Sequence, residues 1–237
     1  MPEILRFASA DELAAAAARR LVGVVSDAQS RRAPFVIALS GGRIARPFYE
    51  SVVAESARAG ATWTHVRFCF ADERCVPPDH PDSNFAGAQT HLFAPLGLAP
   101  SQVLRLRGEI EPAAAVVEAE RALRQLAPVE NRLPVLDLVW LGMGEDGHVA
   151  SLFPNAGAEI VESRAVYLPV IGPKPPPRRL TLTFAMLAAA RDVWVLATGP
   201  GKQAALAESL RPGGQTPLAR VLHARARTTI FTDLAVA

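Results

Sequence analysis

Short apolar runs recur along the chain, and each ends at a polar or glycine-rich segment. The four clearest runs span residues 35–39, 66–70, 136–141 and 193–197. Runs of about five residues without polar alternation are typical of strands buried on both faces of a parallel sheet. Three weaker strand candidates span residues 4–7, 165–170 and 228–231. Residues 180–184 fit either a strand or the start of a helix.

Between the predicted strands, apolar residues recur at the three- and four-residue spacing of helices. Ser9 and Glu12 have the S-x-x-E spacing of a capping box, which predicts a helix from there to about residue 28. Further helices are predicted at residues 47–58, 85–93, 111–126, 203–210 and 217–223. This alternation indicates an α/β fold with a mainly parallel sheet and helices on both faces.

The third run is followed by the most distinctive polar segment, which reads L-G-M-G-E-D-G-H. Gly142, Gly144 and Gly147 lie close together, so the backbone can turn sharply and approach a ligand. His148 directly follows the last glycine, at the carboxyl end of a strand, where open α/β sheets bind ligands. This segment is a candidate catalytic loop, although a glycine-rich turn with solvated acids has the same local pattern.

A second candidate loop, Ser40-Gly41-Gly42-Arg43, follows the first run. It precedes a helix that carries Pro47 in its first turn. Backbone N–H groups at a helix N-terminus, the positive end of the helix dipole and a nearby arginine favour phosphate binding. Paired glycines before a helix are also ordinary turn chemistry, so both interpretations stay open. The spacing of a Walker loop is absent.

Polar residues follow the other two clear runs as well. Asp72 and Arg74 follow the second run, and Lys202 follows the fourth. Because the carboxyl ends of parallel strands lie along one edge of a sheet, we expect these loops to form one pocket. The residues expected there are Gly41, Gly42, Arg43, Asp72, Arg74, Glu145, Asp146, His148 and Lys202. This set indicates an anion-binding pocket with a base beside it.

Composition narrows the possible functions. The 237 residues are 50% hydrophobic and 20% charged, which fits one large globular domain over residues 1–237. No apolar run approaches the ~18 residues of a membrane span, and the N-terminal segment does not resemble an export signal. The net charge of +2, with scattered basic residues, gives no indication of nucleic-acid or membrane binding. We therefore predict a cytoplasmic protein.

Metal and disulfide chemistry have little support. The two cysteines, Cys69 and Cys75, form no C-x-x-C motif, and the five histidines form no H-x-x-x-H pair. We predict reduced thiols and no metal site.

The loop motifs, in their order along the chain, resemble the 6-phosphogluconolactonase family. They are S-G-G-R with P-F-Y-E at 40–50, D-E-R-C-V-P with D-S-N at 72–84, L-G-M-G-E-D-G-H-V-A-S-L-F-P at 141–154, P-R-R-L-T-L-T at 177–183 and G-x-x-K at 199–202. The resemblance covers nearly the whole chain. It implies a Rossmann-like α/β/α sandwich, which agrees with the strand and helix pattern, and hydrolysis of 6-phospho-D-glucono-1,5-lactone to 6-phosphogluconate in the oxidative pentose phosphate pathway.

The resemblance also implies roles for individual residues. His148 is expected to be the general base, because imidazole titrates near neutral pH. Asp146 or Asp72 is expected to orient His148 or a sugar hydroxyl, and the sequence does not say which does which. The residues expected to bind substrate and its phosphate are Ser40, Gly41, Gly42, Arg43, Arg74, Gly144, Arg179 and Lys202. No metal, nucleotide or other cofactor is implied. The expected partner is a small phosphosugar lactone, and the protein is expected to be a monomer or weak homo-oligomer.

One position departs from the family pattern. Ile44 stands where a serine or threonine is common after S-G-G-x, which removes one hydroxyl donor to phosphate. Arg43 or Arg46 is a possible substitute. We favour Arg43, because a helical side chain at Arg46 should project away from the loop.

Two other functions compete with lactone hydrolysis for this fold. Glucosamine-6-phosphate deaminases share the fold, but their central motif continues after G-H with A-F-N-E-P, whereas this chain has V-A-S-L-F-P at 149–154. A sugar-phosphate-sensing regulator would need a DNA-binding module. Only about 34 residues precede the first clear strand, so the sequence favours the lactonase.

Overall fold

The structure is a computed structural model that describes residues 2–235. Its strands are β1 (Glu3–Arg6), β2 (Phe35–Leu39), β3 (Val66–Phe70), β4 (Asp72–Arg74), β5 (Val129–Glu130), β6 (Leu133–Pro134), β7 (Leu138–Gly142), β8 (Tyr167–Ile171), β9 (Arg178–Leu182), β10 (Asp192–Ala197) and β11 (Thr228–Thr232). Its α-helices are α1 (Ala10–Asp27), α2 (Ala45–Ala59), α3 (Asn84–Ala88), α4 (Pro112–Leu126), α5 (Ala158–Val161), α6 (Phe184–Ala189), α7 (Gln203–Leu210) and α8 (Pro217–His223). A π-helical turn, Gln89–Phe93, extends α3.

The centre of the fold is a six-stranded parallel sheet in the order β1–β11–β10–β7–β2–β3. Every residue of β2 and β11 is buried, as the apolar runs predict for strands covered on both faces. Helices flank the sheet: α1 packs against α2, and α8 packs against both α6 and α7. The predicted α/β class with a mainly parallel sheet is therefore confirmed.

Side-chain caps begin several of the helices. The Ser9 hydroxyl accepts a hydrogen bond from the Glu12 amide at the start of α1, as the capping-box spacing predicts. Ser83, Thr183 and Thr216 cap α3, α6 and α8 in the same way. In contrast, Ile44, the residue before α2, provides no side-chain cap, and the Ala45 amide donates to the Gly42 carbonyl instead.

A second, antiparallel sheet in the order β4–β9–β8 lies beside the first and was not predicted as a unit. The segment from Asp72 to Arg74, expected to be loop, is strand β4. Three polar residues show no hydrophobic alternation, and they pair only because tertiary contacts hold them. The Ala71 amide donates to the Leu39 carbonyl at the end of β2, and the Ala71 carbonyl accepts from Leu182 in β9. The chain thus passes directly from one sheet to the other.

The uncertain segment at 180–184 is divided between two elements. Strand β9 ends at Leu182, and α6 begins at Phe184 with Thr183 as its cap. Strand β8 pairs antiparallel with β9 across residues 172–177. No helix within residues 2–235 is long and apolar enough to cross a bilayer.

Candidate active site

The loops that follow β2, β7 and β10, together with β4 and β9, surround one cleft of about 220 Å³. Its lining residues are Ser40, Gly41, Gly42, Arg43, Ile44, Asp72, Arg74, Gly142, Met143, Gly144, Glu145, His148, Ala150, Lys174, Arg179 and Lys202. Every residue expected in the site from the sequence is in this lining except Asp146. Asp146 lies directly behind His148, to which it is hydrogen-bonded.

The loop after β7 folds tightly around the His148 imidazole. The Gly144 amide donates to the His148 carbonyl, and the Gly147 amide donates to the Gly144 carbonyl. Gly147 has a φ of 78°, in the left-handed region that favours glycine. At Gly144, a Cβ atom would lie 2.0 Å from Nδ1 of His148, so only glycine allows the ring to occupy this position.

Asp146 fixes the orientation of His148. Its Oδ1 atom lies 2.5 Å from Nδ1 of His148 and accepts a second hydrogen bond from the His148 amide. Partial burial opposes ionisation of Asp146, but these hydrogen bonds outweigh it, and the pKa of Asp146 is lowered. An ionised Asp146 favours the tautomer with the proton on Nδ1, which leaves Nε2 unprotonated. The Phe153 ring packs against the imidazole with a centroid distance of 4.9 Å.

Asp72 has a different set of neighbours. Its carboxylate is buried and accepts hydrogen bonds from the Ser40 hydroxyl at 2.9 Å and the Ser151 hydroxyl at 2.8 Å. The side-chain amide of Asn84 donates to the Asp72 backbone carbonyl and, at 3.3 Å, to its carboxylate. Asp146, not Asp72, therefore contacts His148. Sequence reasoning did not identify Ser151 and Asn84, although both lie within the motifs that it singled out.

The loop after β2 presents backbone donors to the cleft. No hydrogen bond joins the Gly42, Arg43 or Ile44 amide to another residue in the described range 2–235. At Gly41, a Cβ atom would lie 2.0 Å from Oδ1 of Asn84, which excludes any side chain there. Ile44 is 3% exposed, so its side chain belongs to the core. This explains how an apolar residue is accommodated at this position.

Lys202 and Arg43 approach the cleft from the loops after β10 and β2. Lys202 is 9% exposed, and its ammonium group contacts no acceptor among the described residues. Burial lowers the pKa of Lys202, the charge of Arg43 adds to this effect, and Glu145 opposes it. Arg43 is exposed and forms an ion pair with Glu145 at 3.0 Å. Arg46 lies outside the cleft and pairs with Glu50 on α2.

Arg74 and Arg179 lie opposite each other in the register of β4 and β9. Nη1 of Arg74 donates to the Asp82 carbonyl at 2.5 Å, and its buried Nε has no partner within the described chain. Burial and then the charge of Arg74 lower the pKa of Arg179. The Arg179 guanidinium lies over the Phe153 ring, 5.6 Å from its centroid.

Lys174 is the lining residue that the sequence reasoning missed most clearly. It lies between β8 and β9 in a proline-rich segment that was expected to be only a stiff surface loop.

No group of three or more His, Cys, Asp or Glu side chains within residues 2–235 is arranged to hold a metal ion.

The sheet order and the cation-lined cleft beside a histidine define a Rossmann-like α/β protein with its site at the carboxyl edge of a parallel sheet. Residues 8–231 match the family of glucosamine-6-phosphate isomerases/6-phosphogluconolactonase, and the chain belongs to this family.

Individual relatives agree with this assignment. The chain is 38% identical over 225 residues to a 6-phosphogluconolactonase of Homo sapiens, covering 91% of this chain and 84% of the relative. It is 34% identical over 246 residues to that of Streptomyces coelicolor, with coverage of 100% and 94%. A structure of 6-phosphogluconolactonase from Trypanosoma brucei matches with a TM-score of 0.86 and 29% identity, covering 98% of this chain and 96% of that one.

Proposed function

We propose that this protein is a 6-phosphogluconolactonase, which hydrolyses 6-phospho-D-glucono-1,5-lactone to 6-phospho-D-gluconate in the oxidative pentose phosphate pathway. The observation that carries the proposal is the hydrogen-bonded pair of His148 and Asp146 at a cleft lined by five cationic side chains. A lactone bearing a phosphate needs both parts, namely a base to activate water and cations to hold the anion. The family membership adds to this argument.

His148 is the proposed general base. With the Nδ1 proton held by Asp146, Nε2 can take a proton from a water molecule as its oxygen attacks C1 of the lactone. Electrons of the carbonyl bond move to the carbonyl oxygen to form a tetrahedral intermediate. When this collapses, the bond from C1 to the ring oxygen breaks. The imidazolium returns its proton to that oxygen, which becomes the C5 hydroxyl, and the carboxylic acid product then ionises.

Lys202 and Arg74 are the proposed phosphate ligands, with Arg43 and the amides of the loop after β2 assisting. Among the described residues, no carboxylate forms an ion pair with Lys202, so its ammonium group can contact an incoming phosphate directly. Binding energy from the remote phosphate can then position the lactone ring against His148. Arg43 can exchange its exposed partner Glu145 for the phosphate at little cost.

Asp72 is proposed to bind a hydroxyl group of the sugar. Three neutral donors from Ser40, Ser151 and Asn84 hold its carboxylate at the edge of the cleft. A carboxylate has about four acceptor positions, so one remains for a substrate hydroxyl. Ser40 and Gly144 contribute by holding Asp72 and by making room for the His148 ring.

The alternative is a glucosamine-6-phosphate deaminase, and the residues after His148 argue against it. Deaminases are expected to carry a further glutamate in that motif, whereas Val149, Ala150 and Ser151 follow His148 here. The described contacts of His148 also include no glutamate. A sugar-phosphate-binding regulator would bind ligand without turnover.

The test is to follow hydrolysis of freshly generated 6-phosphogluconolactone with and without the protein. We expect acceleration well above the spontaneous rate, and no release of ammonia from glucosamine 6-phosphate assayed in parallel. Ammonia release would establish the deaminase. Tight binding of 6-phosphogluconate without acceleration would establish a binding protein.

A further inference from the structure

Residues 172–177, here called the proline loop, connect β8 to β9 at the mouth of the cleft. The loop is closed by a hydrogen bond of 2.7 Å from the Gly172 amide to the Pro177 carbonyl. Prolines at 173, 175, 176 and 177 fix the φ angle at four of its six residues. Lys174 is therefore held on a backbone that loses little conformational entropy when its side chain binds a ligand.

Lys174 lines the cleft together with the proposed substrate ligands. Within residues 2–235, its ammonium group forms no ion pair and no hydrogen bond. Lys202 is likewise without an ion pair in this range. In contrast, Arg43 forms an ion pair with Glu145, and Arg74 donates a hydrogen bond to the Asp82 carbonyl. An unpaired cation on a rigid loop beside an anion-binding cleft is suited to contact the anion directly.

Arg179 is committed to the proline loop. Its Nε donates to the Pro176 carbonyl at 3.1 Å, and its Nη2 donates to the Lys174 carbonyl at 3.3 Å. Its guanidinium also lies over the Phe153 ring, and a Cβ atom at Gly172 would approach both Phe153 and Arg179. Arg179 thus supports the backbone of Lys174 from beneath, which is a different task from the direct phosphate contact expected from the sequence.

We propose that Lys174 is a further substrate-binding residue that contacts the phosphate dianion, and that Arg179 is the positioning residue that holds Lys174 in place. This inference rests on the proposed lactonase function. The phosphate is the assigned partner because it is the only ionised group of the lactone before hydrolysis. Five cationic side chains face two carboxylates in the lining, so the cleft carries an excess of positive charge for such a ligand.

The experiment measures binding of 6-phosphogluconate and of glucitol 6-phosphate, which lacks the carboxylate, by calorimetry at one ionic strength. We expect Lys174→Gln to weaken both ligands by about tenfold, the low end for a charge-assisted contact because the side chain is exposed. Lys174→Arg should restore most of the affinity. Arg178→Gln is the matched control: Arg178 adjoins the same loop but pairs with Glu111 outside the cleft lining, so we expect a change within about twofold.

Arg179→Ala tests the positioning role through a double-mutant cycle with Lys174→Gln. If Arg179 acts through Lys174, the double variant should bind 6-phosphogluconate about as weakly as the weaker single variant. In turnover, both single variants should raise KM more than they lower kcat. Additive losses would remove the positioning role from Arg179.

Unchanged binding of both ligands to Lys174→Gln would overturn the assignment of Lys174, as would a loss confined to 6-phosphogluconate, since that would indicate a carboxylate contact. These outcomes are independent of the lactonase assay. A protein that fails to hydrolyse the lactone, but loses phosphosugar affinity at Lys174, would refute the proposed function and leave the phosphate contact in place.

Discussion

Two buried aspartates lie at opposite ends of the central sheet, and their partners differ in charge. Asp137 directly precedes β7 and is 5% exposed. It accepts hydrogen bonds from Arg31 at 2.6 Å and from the Val36 amide at 2.9 Å, and Arg191 lies 3.5 Å away. Asp72 follows β3 at the carboxyl end and is 3% exposed, yet within residues 2–235 only neutral groups donate to its carboxylate.

The difference separates a carboxylate that holds the fold together from one that belongs to the cleft. At the amino end, Arg31, which lies between α1 and β2, and Arg191, which directly precedes β10, neutralise the Asp137 carboxylate. At the carboxyl end, serine and asparagine side chains hold Asp72, and cations such as Lys202 point into the cleft instead. Variants at the amino end should therefore lower stability, and variants at the carboxyl end should lower activity.

The largest effect is expected for His148→Ala. Loss of a general base should lower kcat by about 10²- to 10⁴-fold, with little change in Tm or in affinity for 6-phosphogluconate. His223→Ala, at the end of α8 and outside the cleft lining, is the matched histidine control and should keep wild-type turnover. Near-normal kcat in His148→Ala would remove this residue from the base role.

The two aspartates can be compared directly by Asp137→Ala and Asp72→Asn. Asp137→Ala should lower the free energy of unfolding by about 3 kcal/mol, because two arginines and an amide lose their acceptor, and should leave kcat of the folded protein unchanged. Asp72→Asn should lower the unfolding free energy by only about 1 kcal/mol but reduce kcat/KM by about tenfold or more. Denaturant titration and turnover assays give both quantities. A loss of activity in Asp137→Ala together with a larger loss of stability in Asp72→Asn would contradict these two roles.

Lys202→Ala should weaken recognition of the phosphate. A charge-assisted contact contributes about 1.5–3 kcal/mol, so kcat/KM for 6-phosphogluconolactone should fall by about one to two decades. Unphosphorylated gluconolactone should be affected far less. Arg74→Ala should show the same selectivity if both cations hold one phosphate. Equal losses for the two substrates would show that these residues do not contact the phosphate.

The smallest effects are expected for the two arginines of the first loop and helix. Arg43→Ala should raise the inhibition constant of 6-phosphogluconate by about threefold, because Arg43 is exposed and already paired with Glu145. Arg46→Ala should change it by less than about twofold, because Arg46 pairs with Glu50 outside the cleft. A larger loss at Arg46 than at Arg43 would contradict this order.

The sequence predicted the central sheet well because strands buried on both faces leave uninterrupted apolar runs. It could not predict β4, whose three polar residues become a strand only through pairing with β9. The sequence pattern did not indicate Lys174 either, because the pairing of β8 with β9 in the antiparallel sheet is what places the loop carrying Lys174 at the cleft. The sequence pattern also could not predict whether Asp72 or Asp146 is the partner of His148. That choice depends on the turn at Gly147, which brings the Asp146 carboxylate back onto the imidazole.

Chemical rescue of His148→Ala by imidazole tests the central claim most directly. If His148 acts as the base, added imidazole should raise the enzymatic rate in proportion to its unprotonated fraction, beyond its effect on spontaneous hydrolysis of the lactone. The double variant His148→Ala with Lys202→Ala should respond much less at the same substrate concentration, because it binds the lactone poorly. A rate for His148→Ala with imidazole that equals the spontaneous rate with imidazole would contradict the account.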